Sequence, residues 1–219
     1  MPRCAILGGT GAQGLGIALR LAVAGEAIAI GSRVRDRALD AAEAIRNRVA
    51  GADVVGLDNE AAARSADRIV LAFPAGGITA ALAALGPALA GKLVIDVMVP
   101  LAFHDGRADI VAVEGAASVG ELVQGCAPAA RVVSALKNVP AELLQDLSCT
   151  LEGDVLICGD DPSARAEAAT LVARLAALRA VDAGALANAR YVEGITALLV
   201  NLNRQYRART SISIVGLPR

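Results

Sequence analysis

Residues 4–33, CAILGGTGAQGLGIALRLAVAGEAIAIGSR, constrain the fold more than any other stretch. A short apolar run leads into a glycine-dense turn, an amphipathic run without proline, a glycine and a second apolar run. That order is a strand, a helix and a parallel strand. Gly9-x-Gly11-x-x-Gly14 falls at the first strand-to-helix junction, where a dinucleotide fingerprint must lie. On this reading Gly9 permits the tight turn, Gly11 leaves no Cβ between backbone and pyrophosphate, and Gly14 lets the helix close on the strand. The phosphates then meet a helix N-terminus, whose unpaired N–H groups and dipole favour an anion.

The tip of the second strand selects the dinucleotide. An NAD site places Asp or Glu there for the ribose 2′-OH, whereas an NADP site offers hydroxyls and arginine to a 2′-phosphate. Here Gly31 is followed by Ser32, Arg33, Val34, Arg35, Asp36 and Arg37. Arg33 can stack on adenine or pair with phosphate in a forked geometry that lysine lacks. No acid stands at Ser32, so the expectation is NADP(H) rather than NAD(H).

The remaining composition narrows the partners. A chain of 219 residues holds one substantial domain, or a nucleotide-binding domain with a small appendage. With 21 basic and 22 acidic residues no positive field argues for nucleic acid. No apolar run reaches the roughly 18 residues of a membrane span, and the N-terminus reads as a strand, so a cytoplasmic protein is expected. Cys4, Cys126, Cys149 and Cys158 have neither CxxC nor metal spacing and read as buried free thiols, three of them in apolar surroundings.

Further along, a helical pattern covers residues 38–48, a strand 52–57, and Asn59 reads as the cap of the next helix. Residues 68–73 form a continuous apolar strand suited to a parallel sheet. After it Pro74-Ala75-Gly76-Gly77 opens a helix at a place where ligands bind in open α/β sheets. Asp96 interrupts the apolar strand 92–99 and is read as structural, because a buried carboxylate needs partners. The pattern loosens over 101–116, where the single histidine, His104, receives no role. Ser118-Val-Gly-Glu121 is a capping box for a helix ending near Gly125. Strand 131–136 delivers Lys137-Asn138-Val139-Pro140-Ala141 at its carboxyl end. Lys137 there can donate a proton, anchor an anionic acceptor or touch only water. A strand at 154–158, a helix at 163–178, a strand and turn at 181–184, a long helix at 187–204 and an alternating strand at 211–215 complete the chain. Two apolar stripes on the long helix point to the core on one side and a second subunit on the other.

In this order and spacing the chain resembles the F420-dependent NADP oxidoreductase family, the NADPH-dependent reductases of coenzyme F420, over nearly its full length. The resemblance rests on Leu7-Gly-Gly-Thr-Gly11 through Gly14, Gly31-Ser32-Arg33, Val132-Val-Ser-Ala135 leading to Pro140-Ala141, Cys158-Gly-Asp-Asp161, Asp182-Ala-Gly184, and Asn188-Ala-Arg190 with Glu193. It implies an α/β fold, a doubly wound, mainly parallel Rossmann sheet over residues 1–140 with a small C-terminal α/β lobe over 141–219. It also implies a homodimer or higher homo-oligomer, with hydride passing directly between NADPH and the deazaflavin F420. Carried over by motif, Gly9, Thr10, Gly11, Ala12, Gln13 and Gly14 contact phosphates, and Ser32, Arg33 and Arg37 hold the 2′-phosphate. Phe73, Pro74 and Ala141 line the nicotinamide. Lys137, Asn138 and Val139 face the second cofactor, with Lys137 the candidate catalytic residue. The family turn usually carries His at the position of Lys137, and a large aromatic follows the Pro74 turn where this chain has Ala75-Gly76-Gly77. Two other functions fit the same residues. One is an NADPH-dependent reductase of a flavin, a pterin or a small carbonyl, with Lys137 as anchor or proton donor. The other is an NADPH-binding sensor without chemistry.

Overall fold

Apolar runs in this chain are short and bounded by glycine, proline or charge, and they form strands that helices cover on both faces. The structure is a computed structural model and describes residues 3–74, 77–113, 115–175 and 177–217. In chain order the elements are β1 (Cys4–Leu7), α1 (Ala12–Val23), β2 (Ile28–Ser32), α2 (Arg35–Arg48), β3 (Val54–Asp58), α3 (Asn59–Arg64), β4 (Arg68–Leu71), α4 (Ile78–Leu89) and β5 (Leu93–Asp96). There follow β6 (Leu101–His104), β7 (Arg107–Ile110), α5 (Val119–Cys126), β8 (Arg131–Ser134), α6 (Ala141–Gln145), β9 (Gly153–Gly159), α7 (Pro162–Ala173), β10 (Leu178–Asp182), a 3-10 turn over Leu186–Asn188, and α8 (Ala189–Tyr206).

The main sheet has the order β10-β9-β8-β5-β4-β1-β2-β3. From β3 to β8 every pairing is parallel, the doubly wound Rossmann order with its reversal between β1 and β4. β9 joins β8 antiparallel at two register positions, Val133 with Gly159 and Ser134 with Cys158, and β10 runs parallel to β9. Alternation along the strands divides the core. Cys4 and Ile6 pack with α1, α2 and α7, whereas Ala5 and Leu7 pack with α3, α4 and α5. A third cluster seats Ala189 and Val192 of α8 on Leu156 and Cys158 of β9.

Several expectations need correction. Residues 101–116 contain a hairpin, β6–β7, turned by Asp105 at φ 48° and Gly106 at φ 79°. Asp-Gly with both residues left-handed is the type I′ hairpin turn. Asn201 on α8 grips the hairpin, its Oδ1 accepting from Ala108 N at 2.7 Å and its Nδ2 donating to Ala108 O at 2.8 Å. Asn59 does not cap α3; Asp58 does, accepting from Ala61 N at 2.8 Å, because the helix begins one residue earlier. The helix expected over 163–178 stops at Ala173, and Ala177 at φ 66° turns the chain so that β10 can lie along β9. Residues 211–215 alternate like a strand but join no ladder. Their backbone bonds are to Asp154, whose N donates to Ile212 O and whose carboxylate takes the Ile214 N–H, and to Arg179, which donates to Ile214 O at 2.9 Å. Of the cysteines only Cys4 and Cys158 are buried, and burial pushes their thiols up to about 12 and about 11; Cys126 and Cys149 are half-exposed. Ala75 and Gly76, part of the turn expected after β4, lie outside the described residues. Among the described residues no helix is long and apolar enough to cross a membrane.

Asp161 links the antiparallel extension to the parallel sheet. It caps α7 through Ser163 N and Oγ, both at 2.8 Å, and accepts from Arg131 Nε on β8 at 2.9 Å. The Arg131 guanidinium, followed by the serine contacts, holds its carboxyl well below the usual range. Asp146 is likewise lowered to about 2, first by the Cys149 thiol and then by Ser148. A carboxyl depressed in the folded state stabilises above its unfolded value and loses that contribution as pH falls through its folded value. Melting temperature is therefore expected to fall as pH drops from about 4 to about 2, and Asp161→Asn should flatten that dependence. An unchanged slope in the variant would remove Asp161 from the account.

Candidate functional site

At the reversal between β1 and β4 the chain leaves the sheet twice, at Gly8 and at Ala72, and opens a crevice past the carboxyl ends of the strands. The tight turn belongs to Gly8 rather than to Gly9. Gly8 sits at φ 75°, and a Cβ there would lie 2.7 Å from Ala72 O. Gly9 is needed for packing, since its Cβ would meet Ile6 O at 2.7 Å. A Cβ on Gly14 would lie 2.9 Å from Gly9 Cα, which is how α1 closes on the turn. At Gly11 the nearest neighbour is Gly8 O at 3.5 Å, so protein packing alone does not require glycine there.

The crevice is a cleft of about 690 Å³. Thr10, Gly11, Ala12 and Gln13 form one wall, Ser32, Arg33 and Arg37 the rim, and Ala72, Phe73 and Pro74 the far end. Gly11 caps α1 with no side-chain hydrogen bond, so the N–H groups of the first turn have no intrahelical partner. Arg33 and Arg37 are exposed. Ser32 is largely buried and its Oγ accepts from Val34 N at 3.2 Å, which fixes the start of α2 beside the rim. An open helix N-terminus, a glycine whose missing Cβ no protein atom explains and two exposed guanidiniums at the second strand's tip fit a dinucleotide with a 2′-phosphate.

Sequence reasoning missed Asn59 as a cleft residue. Its Oδ1 accepts from Gly8 N at 3.4 Å and would lie 2.8 Å from a Cβ on Gly31, so it ties the glycine turn to β2. Arg20 was also missed. It projects from α1 and donates to the carbonyls of Leu143, Leu144, Asp146 and Cys149, with Nε to Leu144 O at 3.0 Å. An arginine on the core-facing stripe of a helix, between Ile17 and Leu21, was the available signal. Gln145 Nε2 donates to Ala12 O at 2.9 Å, and Gln13 Nε2 donates to Leu136 O at 3.1 Å and Val139 O at 3.3 Å. The side-chain amide of Gln13 thus serves the 136–139 turn. α6 and that turn are strapped to the glycine loop.

The turn itself departs from expectation. Leu136 adopts a left-handed φ of 56°, and Lys137 turns inward. Its ammonium is fully buried and donates to Asp96 Oδ2 at 2.6 Å, to Glu193 Oε1 at 3.1 Å and to Met98 O. Asp96 Oδ1 accepts from Met98 N at 2.9 Å and Glu193 Oε1 from Val119 N at 3.0 Å. Burial, ahead of the opposing pull of Lys137, raises the Glu193 carboxyl. Asp96 is thus structural, and Lys137 joins β5, α5 and α8 rather than facing a ligand. Asn138 and Val139 are buried as well, with Asn138 Nδ2 donating to Asp154 O at 2.7 Å. None of the three is among the residues that line the cleft at the β1–β4 reversal, and for Lys137 two carboxylates and a carbonyl hold the ammonium inward. Ala141 does not line the nucleotide cleft either. It opens onto a second cleft, of about 920 Å³, between the start of α6 and the end of α8.

Residues 3–100 match the family of coenzyme F420-dependent NADP oxidoreductases. The F420-dependent NADP reductase of Methanocaldococcus jannaschii is 38% identical over 98% of this chain and 99% of its own length. The chain belongs to the F420-dependent NADP reductase family. The Methanothermobacter marburgensis enzyme of that name is 39% identical, with 99% of each chain covered. A solved chain from Arthrobacter sp. FB24, provisionally named an F420-dependent NADP reductase, superposes with a TM-score of 0.83 at 27% identity, covering 99% of this chain and all of that one. In this member of the F420-dependent NADP reductase family, the segment matched over 3–100 contains the whole nucleotide cleft. The full-length relatives extend the likeness through α6 and α8, which border the second cleft.

Proposed function

We propose that this chain transfers a hydride between NADP(H) and coenzyme F420. The observation that carries the reading is the cleft at the β1–β4 reversal, with its open helix N-terminus and arginine rim, in a chain whose relatives align end to end. Thr10, Ala12, Gln13 and Gly14 seat the pyrophosphate through backbone N–H groups, Gly9 and Gly11, whose own N–H groups donate to Gly31 O and Gly8 O, shape the turn beneath it, and Ser32, Arg33 and Arg37 hold the 2′-phosphate. Phe73 and Pro74 bound the nicotinamide end, and Ala141, on the strip that Gln13 fastens to the glycine loop, bounds the acceptor. When bound, the nicotinamide would supply the hydride and the deazaflavin would accept it, with the proton that completes the reduced ring taken from solvent. Transfer between two held rings leaves little charge on the protein, so the chain's own task is placement and no acid–base pair is required. The burial of Lys137, whose ammonium pairs with Asp96 and Glu193, supports this reading over a carbonyl acceptor that takes its proton from that side chain.

Residues 1–140 act as the nucleotide half and residues 141–219 as the acceptor half. The molecule works as a cytoplasmic homo-oligomer through the outer stripe of α8, where Tyr191 and Leu198 are 59% and 58% exposed; light scattering of the purified chain tests that assembly. For the activity, NADPH is mixed with oxidised F420 and catalytic protein. Loss of deazaflavin absorbance in step with NADPH oxidation is expected. No change at saturating protein would overturn the assignment.

A further inference from the structure

The cleft of about 920 Å³ between α6 and the end of α8 carries three guanidiniums, Arg204, Arg207 and Arg209, against one carboxylate, Glu142. Arg209 Nε pairs with Glu142 Oε2 at 2.8 Å, and Arg204 donates to Gly106 O on the hairpin. Arg207 ends α8 in a left-handed conformation, φ 50°, and is exposed. The turn that presents it is held in place: Asn203 Oδ1 accepts from Thr210 N at 2.6 Å and Thr210 Oγ1 at 2.7 Å, and Asn203 O accepts from Ala208 N at 3.0 Å. The opposite wall, Pro140 and Ala141, follows Val139, whose carbonyl bonds Gln13 of the nucleotide cleft. One short strip of backbone therefore separates the nucleotide cleft from a groove with two positive charges in excess.

We propose that this groove is an anion subsite for the acyclic tail of the acceptor, a phosphodiester followed by carboxylates, with Arg207 as its principal contact. The inference rests on the reading that F420 is the acceptor: F420 is a ribityl deazaflavin extended by a phospholactyl and glutamyl chain. The ring end needs no charge from the protein, whereas the tail carries several negative charges that need cations. Placement beside Ala141 puts the cations outside the strip where the ring must approach the nicotinamide, which is where a tail leaving that ring runs.

The test compares F420 with its tail-less ribityl deazaflavin as acceptors from NADPH, in the full chain and in Arg207→Asn, Arg207→Lys and Arg207→Glu. Asparagine is chosen because it tolerates left-handed backbone. The original chain should show a KM at least about tenfold lower for F420 than for the tail-less deazaflavin, a preference that shrinks as salt rises. Arg207→Asn should raise the KM for F420 about tenfold without moving kcat or the KM for the tail-less deazaflavin. Arg207→Glu should raise it further, and Arg207→Lys should recover part of it. Equal KM values for the two acceptors in the original chain, or an equal rise for both in Arg207→Asn, would overturn the subsite while leaving F420 reduction intact. Failure to reduce either deazaflavin would instead overturn the function on which the inference rests.

Discussion

Lys137→Met is expected to destabilise the fold by about 3–5 kcal/mol, because it leaves the buried carboxylates of Asp96 and Glu193 without their cation. For a domain of this size that is a fall of about 6–20 °C in melting temperature. Met98 O also loses its donor, and of the ties from β5 and α8 those made by the ammonium go with it, while Thr196 Oγ1 on α8 still donates to Lys137 O at 3.1 Å. The effect carries a pH signature. Glu193 is already raised by burial, and removing the ammonium raises it further. A carboxyl raised in the folded state costs stability once ionised, so stability is regained as pH falls through its folded value toward its unfolded one. The deficit should therefore shrink on acidification from pH 7 toward pH 5, and the neutralised Lys137→Met, Asp96→Asn, Glu193→Gln variant should recover much of it. Denaturant titration of the three proteins decides this; a single variant as stable as the original chain would mean that the ammonium does not neutralise the cluster. If the single variant keeps kcat on folded protein, Lys137 is excluded as a proton donor in the reaction.

Arg33→Ala is expected to raise the KM for NADPH by roughly tenfold or more and to leave the KM for NADH nearly unchanged. The guanidinium stands exposed at the rim where the 2′-phosphate is expected, and only NADPH carries that group. kcat should survive, since the contact is made equally before and during transfer. Because the rim is solvent-exposed, the effect should weaken at high ionic strength. An equal change for both nucleotides would move Arg33 from the phosphate to the adenine, which the two share.

Most of the nucleotide half was legible because its determinants are local. Apolar runs bounded by glycine state where strands stop, and Gly9-x-Gly11-x-x-Gly14 states what lies between them. Ser32 and Arg33 are consecutive with the strand that presents them. Even there one assignment moved by a residue: both Gly8 and Gly9 can adopt positive φ, and it is Gly8 that does, at φ 75°, against Ala72 O, 64 residues away in the chain, which leaves no room for a Cβ. The hairpin at Asp105-Gly106 was equally local and should have been read, since paired left-handed residues of those types are a hairpin turn.

The acceptor half was much less legible. Lys137 at a strand end reads as a ligand-facing residue, and nothing near it in the chain contradicts that; its partners Asp96 and Glu193 arrive from β5 and α8, 41 and 56 residues away. Arg20, Gln13 and Gln145 likewise find their partners across more than a hundred residues of chain. The sequence by itself determined the parallel sheet, the glycine turn and the choice of a phosphorylated dinucleotide, because periodicity and turn chemistry act between neighbours along the chain. Only the tertiary structure decided which polar side chains are buried and which face a ligand. A charged group goes inward when opposite charges are brought to meet it, and the folded sheet rather than the order of residues brings them there.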